Sequence, residues 1–178
     1  THGLLPIEHI VPIAATQDTA GPITKSVAGA ALMLDGMTGW QNDYAGSLDA
    51  SVIKGMRIGV LDFSRNDSPR LNAQLDAAIA RMEAAGATLV RIESNDTPPE
   101  FWGAARLVLG AEFKVFLTEY LSGSPADIPI RSLAELVAFN NDNAEVEQAV
   151  FGQDILESSL DAPAMESDTY QDALALIR

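Results

Sequence analysis

Met56-Arg57-Ile58-Gly59-Val60-Leu61-Asp62-Phe63 and Thr88-Leu89-Val90-Arg91-Ile92-Glu93 are short aliphatic runs with the density of buried strands, and a helical pattern stands between them. Ser68-Pro69 opens that helix. A Ser side chain can take an unpaired first-turn amide, and Pro at the first helical position has no amide to leave unpaired. Leu71, Leu75, Ala78, Ile79 and Met82 recur at helical spacing until Gly86 stops the run. Strand, helix, strand in this order implies a right-handed crossover, so parallel strands are expected over about 56–63 and 88–94, joined by a helix near 69–86. The expected fold class is therefore α/β, with helices covering an open parallel or mixed sheet.

On the N-terminal side, Asp18 or Thr19 can accept hydrogen bonds from first-turn amides, Gly21 tolerates a sharp approach and Pro22 presets a helical φ. A helix is expected from near Pro22, with Ile23, Val27, Ala30, Ala31 and Leu34 at helical spacing and Gly36 to Gly39 closing it. A substrate-facing loop is the alternative reading of Asp18 and Thr19. Trp40 to Lys54 is polar and reads as a surface loop.

On the C-terminal side, Pro98-Pro99 restarts the chain into a long helix from Phe101 to about Leu121. Trp102, Leu109, Phe113, Phe116 and Leu117 are expected to supply much of its apolar face. Ser132-Leu133-Ala134-Glu135 is a capping box, and Asn140 to Asn143 should end the helix it opens, because Asn and Asp compete for backbone hydrogen bonds. Helical pattern returns over Val146 to Leu156 and after Pro163. The division expected is one partial domain over 1–178, with a helix plus βαβ portion over 1–97 and a mainly helical portion over 98–178.

The chain has 178 residues, 47% hydrophobic and 20% charged, enough to bury a sizeable core. A net charge of −14 with no local Lys/Arg cluster repels phosphate backbones and argues against direct nucleic-acid binding. Without cysteine there is no disulfide, thiolate nucleophile or Cys-based metal site. No apolar run approaches the roughly 20 residues that cross a bilayer. A soluble, cytoplasmic chain is the expectation, although no residue identifies the compartment. The first residue is Thr1 and the last, Arg178, falls within a helical pattern, so both ends read as cut.

Gly3-Leu4-Leu5-Pro6-Ile7, Val11-Pro12-Ile13-Ala14 and Gln17-Asp18-Thr19-Ala20-Gly21-Pro22-Ile23-Thr24-Lys25-Ser26-Val27 resemble the segment that follows the Gly/Ser-rich signature of the amidase signature hydrolases. Later blocks look like their counterparts in bacterial amidases of the peptide-amidase type, in the same order. These are Arg57-Ile58-Gly59-Val60-Leu61, Glu112-Phe113-Lys114, Arg131 to Asn140 and Phe151-Gly152-Gln153-Asp154. The resemblance implies an α/β/α sandwich around a large mixed sheet. It implies hydrolysis of a carboxamide to carboxylate and ammonia, in which one Ser attacks, a second Ser in a cis peptide and a Lys move protons, and backbone amides hold the oxyanion. No Gly-Gly-Ser-Ser-Gly-Gly run is present, and Lys25, Lys54 and Lys114 lack the setting of the family's catalytic Lys. No catalytic residue is therefore assigned, and the chain alone is expected to be inactive.

Gln17, Asp18, Thr19, Gly21, Phe113, Phe139 and Phe151 are the candidates for substrate pocket or loop, with core packing the competing role for the three phenylalanines. The resemblance implies a small or peptide carboxamide substrate, and the missing N-terminal part or another chain as partner. The amidase-type subunit of a glutamyl-tRNA amidotransferase and a non-catalytic amidase-like binding module are the alternatives. No cofactor is expected. His2 and His9 lack the His-Glu-x-x-His spacing of a zinc site, and Asp142, Glu145 and Glu147 are out of register for an EF-hand, so no metal site is expected either. No Gly-x-Ser-x-Gly elbow supports a serine–histidine triad, and Gly55 to Gly59 precedes a strand instead of following one, unlike a dinucleotide fingerprint.

Overall fold

The computed structural model describes residues 2–65 and 67–178; Thr1, where the sequence starts, and Asn66 lie outside them. Among the described residues are seven α-helices and a two-stranded parallel sheet. The chain divides into two compact units: Pro22–Thr97, and Thr1–Gly21 together with Pro98–Arg178.

In the Pro22–Thr97 unit, β1 (Arg57–Leu61) pairs in parallel with β2 (Thr88–Ile92), in register from Arg57 opposite Thr88 to Leu61 opposite Ile92. The connecting helix α2 (Pro69–Ala84) starts as the sequence requires, with Ser68 Oγ accepting from the Leu71 amide and Pro69 in the first turn. It ends in a Schellman motif. Ala87 N–H donates to Met82 O and Gly86 N–H to Glu83 O, with Gly86 at φ +97° where a side chain would be strained. The expected βαβ unit is thus present. Its apolar stripe is only partly covered: Ile79 and Val60 are buried, whereas Leu71 and Leu75 are exposed, because two strands offer too little surface to cover a 16-residue helix. At the end of β1, Asp62 meets Arg65 and Arg91, each at 3.0 Å, and these guanidiniums, Arg65 first, hold its carboxyl below the usual range.

Helix α1 (Val27–Met37) starts later than the sequence suggested. Residues 22–25 are not helical, Ile23 is 97% exposed, and the cap is Ser26, whose Oγ accepts from Gly29 N–H at 3.0 Å. Neither Asp18 nor Thr19 caps it. Asp18 instead accepts from two amides that precede it in the chain, which removes it from competition, while Ser26 sits at an extended φ and ψ with its hydroxyl free to turn inward. At the other end Asp35, 2% exposed, accepts from the Tyr44 and Ala45 amides and ties the following loop to the helix. A short 3₁₀ turn, Ala50–Ile53, interrupts the stretch read as loop, with Asp49 accepting from Ser51 N–H.

The other unit is built on α3 (Phe101–Ser122). Against it pack α4 (Leu133–Asp142), the short helix α6 (Asp154–Leu160) and α7 (Asp168–Ile177), while α5 (Ala144–Glu147) is a single turn after α4. Val108, Ala111, Tyr170, Ala173 and Leu174 form one buried cluster; Leu117, Leu133 and Val137 form a second, with Phe113 and Leu121 against it. The buried face of α3 includes the expected Leu117, with Phe113 packed beside it, but departs from expectation at Trp102 and Leu109. Val108, Ala111, Glu112 and Leu117 are buried, whereas Trp102 is 74% exposed and Leu109 is exposed. Small residues on the buried face, Ala104 and Ala111, pack in the cluster with Ala173 of α7.

Ser132 caps α4 as expected, accepting from Glu135 N–H, while the Glu135 carboxylate accepts from Arg131 N–H instead of from the cap's own amide. The Arg131 side chain donates to carbonyls of Leu121, Ser124 and Pro125, serving the last turn of α3. Asn143 ends α4 with its amide N–H and its side chain both on Phe139 O. The helix read over Val146 to Leu156 is broken. Gln153, nearly buried, donates to Val137 O and Asn141 Oδ1 and accepts from Asn140, so its side chain holds the chain off helical geometry before α6.

Candidate functional site

The segment Ile13 to Asp18 is a tight turn, because one carbonyl and one carboxylate collect most of its amides. Ala14 O accepts from Gln17 N–H at 3.0 Å and Asp18 N–H at 2.7 Å. Asp18 Oδ2 accepts from Ile13 N–H at 2.8 Å and Ala14 N–H at 3.0 Å, closing the loop on itself in the manner of an Asx side chain. Ala14 is buried, and His2 Nε2 donates to Ala15 O at 2.7 Å, which places a proton on that nitrogen.

The turn is anchored to the helices through Glu112. Its Oε2 accepts from Thr16 N–H at 2.9 Å, and its Oε1 accepts from Thr16 Oγ1 at 2.8 Å and from the Tyr170 hydroxyl at 2.7 Å. Glu112 is 0% exposed. A buried carboxyl is costly unless its acceptors are filled, and three donors from the turn and from α7 fill them. Burial first, and then the bond to Glu112, push the Tyr170 phenol up to about 12. Lys114, two residues on, donates to Leu160 O and Ala162 O and so serves the end of α6.

Two concave regions flank this turn. A cavity of about 350 Å³ is lined by Thr16 and Gln17 of the turn, by Phe101, Trp102 and Ala105 at the start of α3, and by the end of α7. A cavity of about 210 Å³ lies among Ile7, Ile10, Val11 and Ile13, with Asp18 and Thr19. Neither lining contains a Ser, Cys or Lys, and these walls supply shape, apolar surface and amide, hydroxyl or carboxylate hydrogen bonding.

Gln17, Asp18 and Thr19 are thus brought to cavity walls, and Gly21 lies exposed three residues beyond Asp18. Phe113 packs against the Leu117, Leu133 and Val137 cluster. Phe139 and Phe151 are exposed and line neither cavity. Thr16, Glu112 and Tyr170 were not singled out as site residues, yet they position the turn. The readable signal was Glu112 itself, a charge at helical spacing from Val108 on an otherwise apolar turn of α3. Among the described residues no group of three or more His, Cys, Asp or Glu is placed to hold a metal ion, and no helix is long and apolar enough to cross a membrane.

A sequence profile of the family described as Amidase matches residues 1–176. The chain is 28% identical over 176 residues to a probable amidase of Arabidopsis thaliana, covering 86% of this chain and 32% of that protein. It is 32% identical over 104 residues to a glutamyl-tRNA(Gln) amidotransferase subunit of Thermosynechococcus vestitus, covering 52% and 22% respectively. Among solved structures it superimposes on the native peptide amidase of Stenotrophomonas maltophilia with a TM-score of 0.83 at 32% identity, covering 98% of this chain and 38% of that one. The matched part of the chain spans 22% to 38% of the length of these relatives.

Proposed function

From the premise that this chain belongs to the amidase family, we propose that it forms scaffold and pocket wall of a hydrolase that cleaves a carboxamide C–N bond to a carboxylate and ammonia. The reacting groups are a Ser, a second Ser in a cis peptide and a Lys, supplied by sequence that these 178 residues do not contain. The first Ser Oγ attacks the carbonyl carbon as its proton passes through the second Ser to the Lys. Backbone amides hold the oxyanion, and the C–N bond breaks as the proton is returned to the departing nitrogen. Water, activated by the same groups, then releases the acid from the ester and restores the Ser.

The observation that carries this reading is the superposition of 98% of the chain on a peptide amidase. Within that frame the Gln17–Gly21 segment is assigned to the substrate side, supported by the cavities on either side of the turn. A peptide or small carboxamide is the proposed substrate. The similarity to the amidotransferase protein favours a second reading, in which ammonia is released from glutamine and passed to a partner protein. The two differ in whether glutamine or a peptide amide is consumed.

The 178-residue chain purified alone should release no ammonia from carboxamides above a protein-free control and should resist serine-directed acylating probes. Losing a complete set of catalytic groups costs orders of magnitude in rate. Turnover proportional to enzyme concentration, in a preparation whose intact mass matches this chain, would overturn the assignment of chemistry to other sequence.

A further inference from the structure

Among the described residues, Glu112 is a fully buried carboxyl that reaches from the helices to the turn between the two cavities. Its three hydrogen bonds come from Thr16 and from Tyr170, and Thr16 immediately precedes Gln17. Gln17 lines the larger cavity, whereas Asp18 and Thr19 line the smaller. One short turn therefore partitions two concavities, and its attachment sets which residue faces which side. The internal bonds at Ala14 O and Asp18 Oδ2 give the turn its shape but do not orient it against α3. The Thr16–Glu112–Tyr170 clamp ties the turn to α3 and α7 by hydrogen bonds.

We propose that Glu112, supported by Tyr170, is a positioning residue that orients the Thr16–Thr19 turn as a divider between two substrate subsites; this rests on the amidase reading. The larger subsite presents the Phe101 and Trp102 rings with the Gln17 carboxamide and Arg178, which suits an aromatic or aliphatic group next to an amide or a carbonyl. The smaller presents four aliphatic side chains with the Asp18 carboxyl and Thr19 at one side. The clamp needs a polar side chain that spans Thr16 and Tyr170 and does not need charge. A Gln at 112 can accept the Thr16 amide through its oxygen and donate through its NH₂ to the two hydroxyls, which rotate to accept.

The test compares Glu112→Gln, Glu112→Ala, Thr16→Ala and Tyr170→Phe. In the 178-residue chain, amide hydrogen exchange at Thr16, Gln17 and Asp18 should speed up about tenfold or more in Glu112→Ala, less in Thr16→Ala and Tyr170→Phe, and little in Glu112→Gln. Amides around Leu117 and Leu133 should keep their protection. If Glu112→Ala does not fold, the two milder variants decide the matter at the same amides. In the complete hydrolase acting on peptide amides, Thr16→Ala and Tyr170→Phe should raise KM more than they lower kcat, and Glu112→Gln should restore most of what Glu112→Ala loses. Unchanged exchange at Thr16 to Asp18 in both milder variants, or a uniform loss of protection across the whole unit, would overturn the clamp. Absence of carboxamide hydrolysis by the complete protein would count against the amidase reading, while the exchange measurements on the chain would still decide the clamp.

Discussion

Tyr170 donates its hydroxyl into a buried carboxyl, so its proton is held more firmly in the folded chain than in the unfolded one. Its folded pKa, about 12, lies above the ordinary value of 10. The stabilisation is therefore fully present below pH 10 and is lost as pH rises from there through about 12, because the unfolded phenol gives up its proton first. A Tyr170→Phe variant should show a flatter decline in stability across that window than the wild type, read from denaturant midpoints at pH 9, 10 and 11. An equally steep decline in both would remove Tyr170 as the cause. Asp35 is the counterpart in the other unit, a carboxyl whose burial is offset by two loop amides. In both places an acidic side chain orders irregular backbone.

At the scale of elements, each of four helices in this chain takes its N-cap from a serine: Ser26, Ser68, Ser132 and Ser167. The displaced start of α1 makes the consequence measurable. Replacing Ser26 by Ala leaves the Gly29 amide without its partner and should destabilise the Pro22–Thr97 unit by about 0.5–2 kcal/mol. Asp18→Ala should leave the Pro22–Thr97 unit intact and loosen the Ile13–Asp18 turn, visible as faster exchange at the Ile13 and Ala14 amides. Loss of α1 protection in Asp18→Ala, with none in Ser26→Ala, would restore the sequence-based capping assignment. The break between α5 and α6 has the same kind of origin, a polar side chain, Gln153, that bonds backbone and neighbours in place of the helix ladder.

Across the whole molecule the two units hold their apolar residues unequally. On α3, Val108 and Ala111 are fully buried and Leu117 nearly so, with α4, α6 and α7 contributing to the cover. In the other unit the two strands carry Val60 as their buried residue, α2 contributes Ile79, and Leu61, Val90 and Ile92 remain exposed. A two-stranded sheet with so little covered surface should open more readily than a helix buried between others. Amides over Val108 to Leu117 should therefore exchange at least about tenfold more slowly than those of Arg57–Leu61 and Thr88–Ile92 in the 178-residue chain. Slower exchange in the strands would mean that the sheet is covered in solution by a contact this chain does not show.

The serine caps of α2 and α4, the extent of α3 and the end of α4 within Asn140 to Asn143 were legible in the sequence, since each depends on residues within a turn or two of one another, and the βαβ unit was legible through the order of its elements and the handedness of their crossover. The family was legible as well, because ordered blocks of residue types run almost the full length of the chain. What local pattern could not reach was any choice among competing partners. Asp18 can cap a following helix or gather preceding amides, and only the folded turn decided for the second. The α3 periodicity admits a first half that buries Trp102 and Leu109 or one that buries Val108, Ala111 and Glu112. The second is the buried one because α7 approaches over Ala111 and because Thr16 and Tyr170, 96 and 58 residues from Glu112 in sequence, arrive to satisfy its carboxyl. A buried acid is tolerated only when donors fill its acceptors; for Asp35 they come from the next loop, but for Glu112 they come from distant sequence, and that convergence is a property of tertiary structure alone.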